Sequence, residues 1–259
     1  MKKNILLIIL VFCIMNPLNA KQNSPTAVII KSSGVIILQR EVENKTTTRN
    51  AKSGELLYSG DELFSKEQSI AVIRFVDKGA IIKLFSNSIL TINSEKNQNK
   101  LDKKLYMEIG DLWSKVTKEK GEYEIRTPTS VAAVKGTEFY TNVQEDGETM
   151  IVVFEGIVEL QTEMGSQNVS KGKTGTAVQD EVPTVEETQE SDVSDEIIEE
   201  IESYEEVEEE TEETQTEEEI GEIEETEEET EEETEEQVLE IKFENENGEI
   251  KTLKIYYSE

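Results

Sequence analysis

The chain has 259 residues, no histidine and a single cysteine. Without histidine the commonest general base and metal ligand is missing, so serine–histidine and cysteine–histidine catalysis are excluded, and with the one cysteine near the N-terminus no structural or catalytic zinc site is expected. The formal net charge of −32 is unevenly spread: residues 181–237 hold 31 acidic and no basic residues, leaving 27 acidic against 26 basic elsewhere. The chain therefore reads as a nearly neutral body carrying a polyanion, a pattern that repels nucleic-acid backbones and anionic membrane surfaces.

From the N-terminus, Lys2 and Lys3 precede an uncharged apolar run, Ile5 to Met15, and then Asn16-Pro17-Leu18-Asn19-Ala20. This is the layout of an export signal over residues 1–20, with cleavage expected after Ala20. The run is about half the roughly 20 residues a spanning helix needs, so no transmembrane span is expected in the mature chain. Cys13 lies inside the signal and Phe12 precedes it, where a lipoprotein site wants a small residue; Cys13 reads as apolar filler. A mature chain starting at Lys21 then has no thiol and depends on an ordinary core. The expected location is periplasmic, cell-surface or secreted.

Residues 21–180 read as all-β, in two packed sheets or one rolled sheet. Ala27–Ile30 and Val35–Leu38 flank a turn at Ser32-Ser33-Gly34. The stretch "SIAVIRFV", Ser69 to Val76, is apolar on both faces. Ile70 and Val72 point one way and Ala71, Ile73 and Phe75 the other, as in a strand buried between two layers. Asp77-Lys78-Gly79 turns the chain into Ile81–Phe85. Trp113 reads as core. Glu145-Asp146-Gly147 is a hairpin turn joining Thr137–Val143 to Glu148–Phe154. Residues 181–237 are rich in Glu and Thr and read as a disordered linker, because their few apolar residues do not offset the cost of ordering the backbone. Residues 238–259 regain alternation: Leu239, Ile241 and Phe243, then Asn247-Gly248, then Leu253, Ile255 and Tyr257 predict a C-terminal β-hairpin.

The stretch "IRTPTSVAAVKGTEF", Ile125 to Phe139, is the most unusual. Lys135-Gly136-Thr137 is no phosphate loop, since Lys precedes Gly and the upstream Gly is missing. A structural reading accounts for more of it. Pro128 interrupts a ladder, Val131–Val134 is a small-residue strand, Gly136 permits a bend, and Phe139 faces the core.

These residues resemble the FecR domain, whose signature combines T-P, small apolar residues, a basic residue, G-T-x-F, a turn and a strand ending in E-G-x-V. Here those are Thr127, Pro128, Val131–Val134, Lys135, Gly136, Thr137, Phe139, Glu155, Gly156 and Val158. Upstream, Ser59-Gly60-Asp61 and "KLYMEIGDLWSKV" are also similar, and the resemblance covers about residues 50–178. It implies a β-rich extracytoplasmic domain. In the best-known relatives that domain is the outer part of a transmembrane regulator. It receives a signal from an outer-membrane transporter and controls a sigma factor through a cytoplasmic N-terminal segment. This chain has an export signal where that segment would stand.

The expected function is a non-enzymatic binding or signal-receiving module of the cell envelope. Its partner would be an envelope protein or a glycan, with the acidic segment as spacer. The alternative is a surface protein that binds cations or basic proteins through its polyglutamate run, with weak calcium association. No D-x-[DN]-x-[DN]-G loop is present, and no cofactor or specific metal site is expected. Glu108 with Asp111, and Glu122 with Glu124, are the carboxylate pairs a glycosidase reading would use. Exposed strand charges explain them equally well.

Overall fold

The computed structural model describes residues 24–203, 237–244 and 250–257. The expected export signal and residues 204–236 lie outside them. The strands are β1 (Ala27–Ser33), β2 (Ile36–Val42), β3 (Lys45–Ala51), β4 (Leu56–Leu57), β5 (Asp61–Ser65), β6 (Ile70–Phe75), β7 (Ala80–Leu84), β8 (Ile89–Asn97) and β9 (Lys100–Val116). They continue with β10 (Tyr123–Arg126), β11 (Val131–Val134), β12 (Glu138–Val143), β13 (Thr149–Glu155), β14 (Ile157–Thr162), β15 (Gly165–Ser170), β16 (Lys173–Ala177) and β17 (Thr184–Glu187). A 3₁₀ turn (Glu190–Asp192) and a helix, α1, whose described residues are 195–203, follow.

Two layers form. Sheet A runs β4-β1-β6-β7-β9-β12-β13-β16-β17, and sheet B runs β3-β2-β5-β8-β9-β10-β11-β14-β15. β9 belongs to both. Its first part, through Ile109, pairs with β8 in sheet B, and from Gly110 onward it pairs with β12 in sheet A. Every pairing is antiparallel except β9 with β10. The chain supplies the layers alternately, mostly two strands at a time. The turn at Ser32-Ser33-Gly34 is accordingly a corner between layers, since β1 pairs with β4 and β6 while β2 pairs with β3 and β5.

The core lies between the sheets. Alternation sends Ala71, Ile73 and Phe75 of β6 into it, where they meet Ile29, Leu63, Leu105, Ile125 and Phe139. Tyr123 stacks edge-on between Phe75 and Phe139, with ring centroids 6.5 and 6.3 Å away. Its hydroxyl shares a 2.9 Å hydrogen bond with Ser114 Oγ, so the buried phenol is not orphaned. Ile70 and Val72 face the other way, as the alternation predicts, and pack in a second cluster on the outer side of sheet A. Trp113 belongs to that outer cluster, not to the main core.

The disordered linker expected over residues 181–237 is corrected over residues 184–203. β17 adds to the edge of sheet A by pairing with β16, and α1 lies on the outer face of that sheet with Ile201 buried. Apolar contact with the sheet supplies what the acidic segment lacks by itself. At the C-terminus, β18 (Gln237–Glu244) and β19 (Ile250–Tyr257) pair antiparallel, Leu239 opposite Ile255 and Ile241 opposite Leu253. The Asn247-Gly248 turn lies outside the described residues. Among the described residues, no helix is long and apolar enough to cross a membrane.

Candidate functional site

Seven of the signature residues, Thr127, Pro128, Gly136, Thr137, Phe139, Glu155 and Gly156, do not converge on one site. They form turn clusters at the two ends of β11, plus one core aromatic. At one end, Thr127 Oγ1 accepts from the Ser130 amide at 3.0 Å and from Thr149 Oγ1 at 2.8 Å. Thr129 Oγ1 donates to the Gly147 carbonyl at 2.6 Å. Pro128 also lies against Gly147, so the T-P turn of one layer is tied to the Glu145-Asp146-Gly147 turn of the other. At the other end, Thr137 Oγ1 donates to the Ile157 carbonyl at 3.0 Å. Gly156 (φ +85°) sits so close that a Cβ there would stand 2.8 Å from the Gly136 carbonyl oxygen and 2.9 Å from Thr137 Oγ1. Phe139 is fully buried. Glu155 is exposed and stands opposite Glu138 across the β12–β13 pair. Thr127 and Pro128 thus tie a hairpin of sheet B to a hairpin of sheet A, while Gly136, Thr137 and Gly156 sit where the chain crosses between the layers.

The carboxylate pairs do not face each other either. Gly110, where β9 changes sheets, separates Glu108 from Asp111. Glu108 is exposed. Asp111 accepts hydrogen bonds from Asn142 Nδ2 at 2.7 Å and from the Tyr140 hydroxyl. Glu122 is exposed, and Glu124 is ion-paired with Arg126.

The most developed surface is the outer face of sheet A. One row across it reads Val72, Lys83, Trp113, Tyr140, Val152 in cross-strand register. Ile81, Phe85 and Phe154 flank this row. Residues 190–203 lie over it as a strap. Val193 packs on Tyr140 and Val152, Ile201 on the cluster around Trp113, and Ile197 joins both groups. Lys83, whose side chain is 5% exposed, donates from Nζ to the Glu200 carbonyl and to its carboxylate, each at 2.6 Å. Burial holds this lysine below its ordinary pKa, and Glu200 pulls it part of the way back. Nearer β17, Thr174 Oγ1 donates to Asp192 Oδ2 at 2.6 Å, and Lys173 pairs with Glu187.

Residues 61–159 match the family model described as FecR protein. The chain carries a FecR domain. The match begins at β5 and ends within β14, so the folded body extends past the FecR domain at both ends: β1–β4 complete one end, and β15–β17 with the strap complete the other. Two crystal structures of a candidate anti-sigma factor from Parabacteroides distasonis, at 1.65 and 2.50 Å resolution, align with a TM-score of 0.43 each, at 14% and 13% identity. Each alignment covers 49% of this chain and 60% of the other. No curated protein matches.

Asp61, the first residue of the FecR match, joins the domain to what precedes it. It is 1% exposed, accepts both Nε and Nη2 of Arg40 at 2.6 Å, and accepts the Tyr58 amide at 2.8 Å. Arg40 also donates to the Leu56 carbonyl and lies 4.5 Å over the Tyr58 ring. An open groove of about 420 Å³ beside it is walled by Arg40, Lys52, Glu55 and Tyr58. Arg40 is committed to Asp61, and Glu55 to Arg49. Asp61→Ala leaves a partly buried guanidinium without its carboxylate, and about 3 kcal/mol of stability is expected to be lost in urea unfolding. A loss under about 1 kcal/mol would assign the pair to the weak surface class instead.

The strap was not foreseen in the sequence, although a signal is present. Ser194-Asp195-Glu196 places acidic residues where a helix begins, and Ile197, Ile198 and Ile201 keep helical spacing. The calcium reading falls on residues 181–237, of which 204–236 lie outside the described residues.

Proposed function

We propose that this chain is a non-enzymatic, signal-receiving module of the cell envelope. The FecR domain engages an envelope protein or glycan, and the acidic residues beyond the strap space it from the C-terminal hairpin. The observation that carries the reading is the FecR match over residues 61–159, a domain whose family is regulatory. The basic, apolar and small residues before Lys21 support export. The turn clusters support a rigid recognition scaffold, because they tie successive layers together without arranging reactive groups.

The test uses the tagged full chain in its native host. It is expected in the envelope fraction with Lys21 as its first residue by mass spectrometry, cross-linked to one envelope component. Recovery from the cytoplasm with residues 1–20 intact would overturn the reading. A second chain ending at Ser203 retains the strap and separates the two parts. Equal cross-linking by both chains assigns the contact to the FecR domain, whereas loss in the shorter chain assigns it to the spacer or hairpin.

A further inference from the structure

We propose that the outer face of sheet A is a docking surface for an acidic amphipathic helix of a second polypeptide, occupied in cis by residues 190–203 until such a helix exchanges with them. The helix it fits carries branched apolar residues at i, i+1 and i+4 and a carboxylate at i+3, the pattern of Ile197, Ile198, Glu200 and Ile201.

The receptor side carries the first part of the argument. A sheet face meant only for permanent burial needs apolar residues alone. This one places Lys83 within the row, between Val72 and Trp113. A buried ammonium is costly unless paired and fully bonded. Here its partners are a carboxylate and a main-chain carbonyl of the same helical residue, Glu200. An apolar helix would strand Lys83, and a basic helix would repel it. The face thus selects acidic helices by penalising the others.

The occupant side carries the second. Asp195 with Glu199, and Glu196 with Glu200, place like charges at i, i+4. The strap therefore has little helical stability of its own and folds because the sheet lies beside it. Its tether supplies a high local concentration, on the order of millimolar. A competing helix sees an affinity lowered by the fraction of time the strap is seated. The inference rests on packing and charge within the fold and holds whether or not the chain is exported.

The probe is a fluorescent peptide of residues 189–207, read by anisotropy against the full chain. The full chain carrying Ile197→Glu and Ile201→Glu is expected to bind it at least tenfold more tightly than the unaltered chain. Adding Lys83→Glu should remove that gain. Trp113 is the sole tryptophan and lies under the strap, so its emission reports release directly. A double variant that melts cooperatively, shows red-shifted Trp113 emission and still binds no better than the unaltered chain overturns the proposal. So does equal binding of a scrambled peptide, which would signify charge attraction only. Should the variant not fold, hydrogen exchange on the unaltered chain decides. Amides of residues 197–201 are expected to exchange at least a hundredfold faster than those of β6 and β7, and equal protection would make the strap a fixed part of the core.

Discussion

Gly110→Ala is expected to cost the fold roughly 4 kcal/mol, a large share of the about 5–15 kcal/mol by which ordinary domains are stable. Gly110 is the point at which β9 leaves sheet B and enters sheet A. Its φ of +101° is a conformation that side-chain-bearing residues reach only with about 1–3 kcal/mol of strain. A Cβ there would also stand 2.6 Å from Ser88 Cα and would overlap Ser88 Oγ. That oxygen is not free to move, because it accepts the Asp111 amide at 2.9 Å and donates to the Ser86 carbonyl at 3.1 Å. Overpacking adds a further 1–3 kcal/mol or so. Gly60→Ala provides the control. Its φ is +96° and nothing lies within 4 Å of the position a Cβ would take, so only the strain, about 1–2 kcal/mol, should appear. Urea melts of the two variants against the parent measure the difference, and equal losses would show that the Ser88 contact gives way at no cost.

Above pH 10.5 the folded chain is expected to lose stability at about 2.7 kcal/mol per pH unit, from two tyrosines. Tyr123 is fully buried, and burial pushes its phenol well above the ordinary value of 10; the Ser114 hydroxyl offsets little of this. Tyr140 is pushed up by burial and then by the neighbouring Asp111 carboxylate, to which its hydroxyl donates. Above pH 10 the unfolded chain sheds these protons while the folded chain keeps them. Stability from the two phenols is therefore complete below pH 10 and declines as pH rises toward their folded values. Lys83 and Lys103 act in the opposite sense. Burial lowers both from 10.5, so the folded chain releases their protons first and gains stability as pH climbs toward that value, and nothing beyond it. The net decline thus begins above about 10.5. Urea melts between pH 9 and 12 on the parent and on a Tyr123→Phe, Tyr140→Phe variant test this. An equally steep decline in the variant would assign the alkaline transition to other groups.

The sequence carries the orientation of single strands more clearly than their partners. In β6 the alternation separates Ile70 and Val72 from Ala71, Ile73 and Phe75, and the structure keeps that division. It also signals a second covering layer. What covers β6 is hidden, because a charge count over 57 positions averages away Ile197, Ile198 and Ile201. The cation that donates to Glu200 is 117 positions earlier, at Lys83. Non-local pairing of this kind leaves no local pattern. Strand order has the same difficulty. Ser32-Ser33-Gly34 looks like any tight turn, but it sends the chain to the other layer, and the choice depends on which edges β6 and β5 offer. The signature residues read as scaffold; Gly136, Thr137 and Gly156 lie where the chain changes layers, and Thr127 and Pro128 lie in a hairpin turn of sheet B. Only the structure separates them into two distant fasteners.

The back-and-forth threading of the layers has an evolutionary corollary. Each layer takes its strands from neighbouring stretches of chain, so the body resembles a stack of courses, each resting mainly on the one before. Duplicating a few strands at either end would lengthen the body while leaving the register of the interior unchanged. Growth of that kind needs a stop. β4 is only two residues long, β3 presents Lys45 and Arg49, and β17 presents Glu186 and Glu187. At three of the four edges, short or charged terminal courses keep separate molecules from continuing one another's sheets into a fibre; β15, the fourth, is neither.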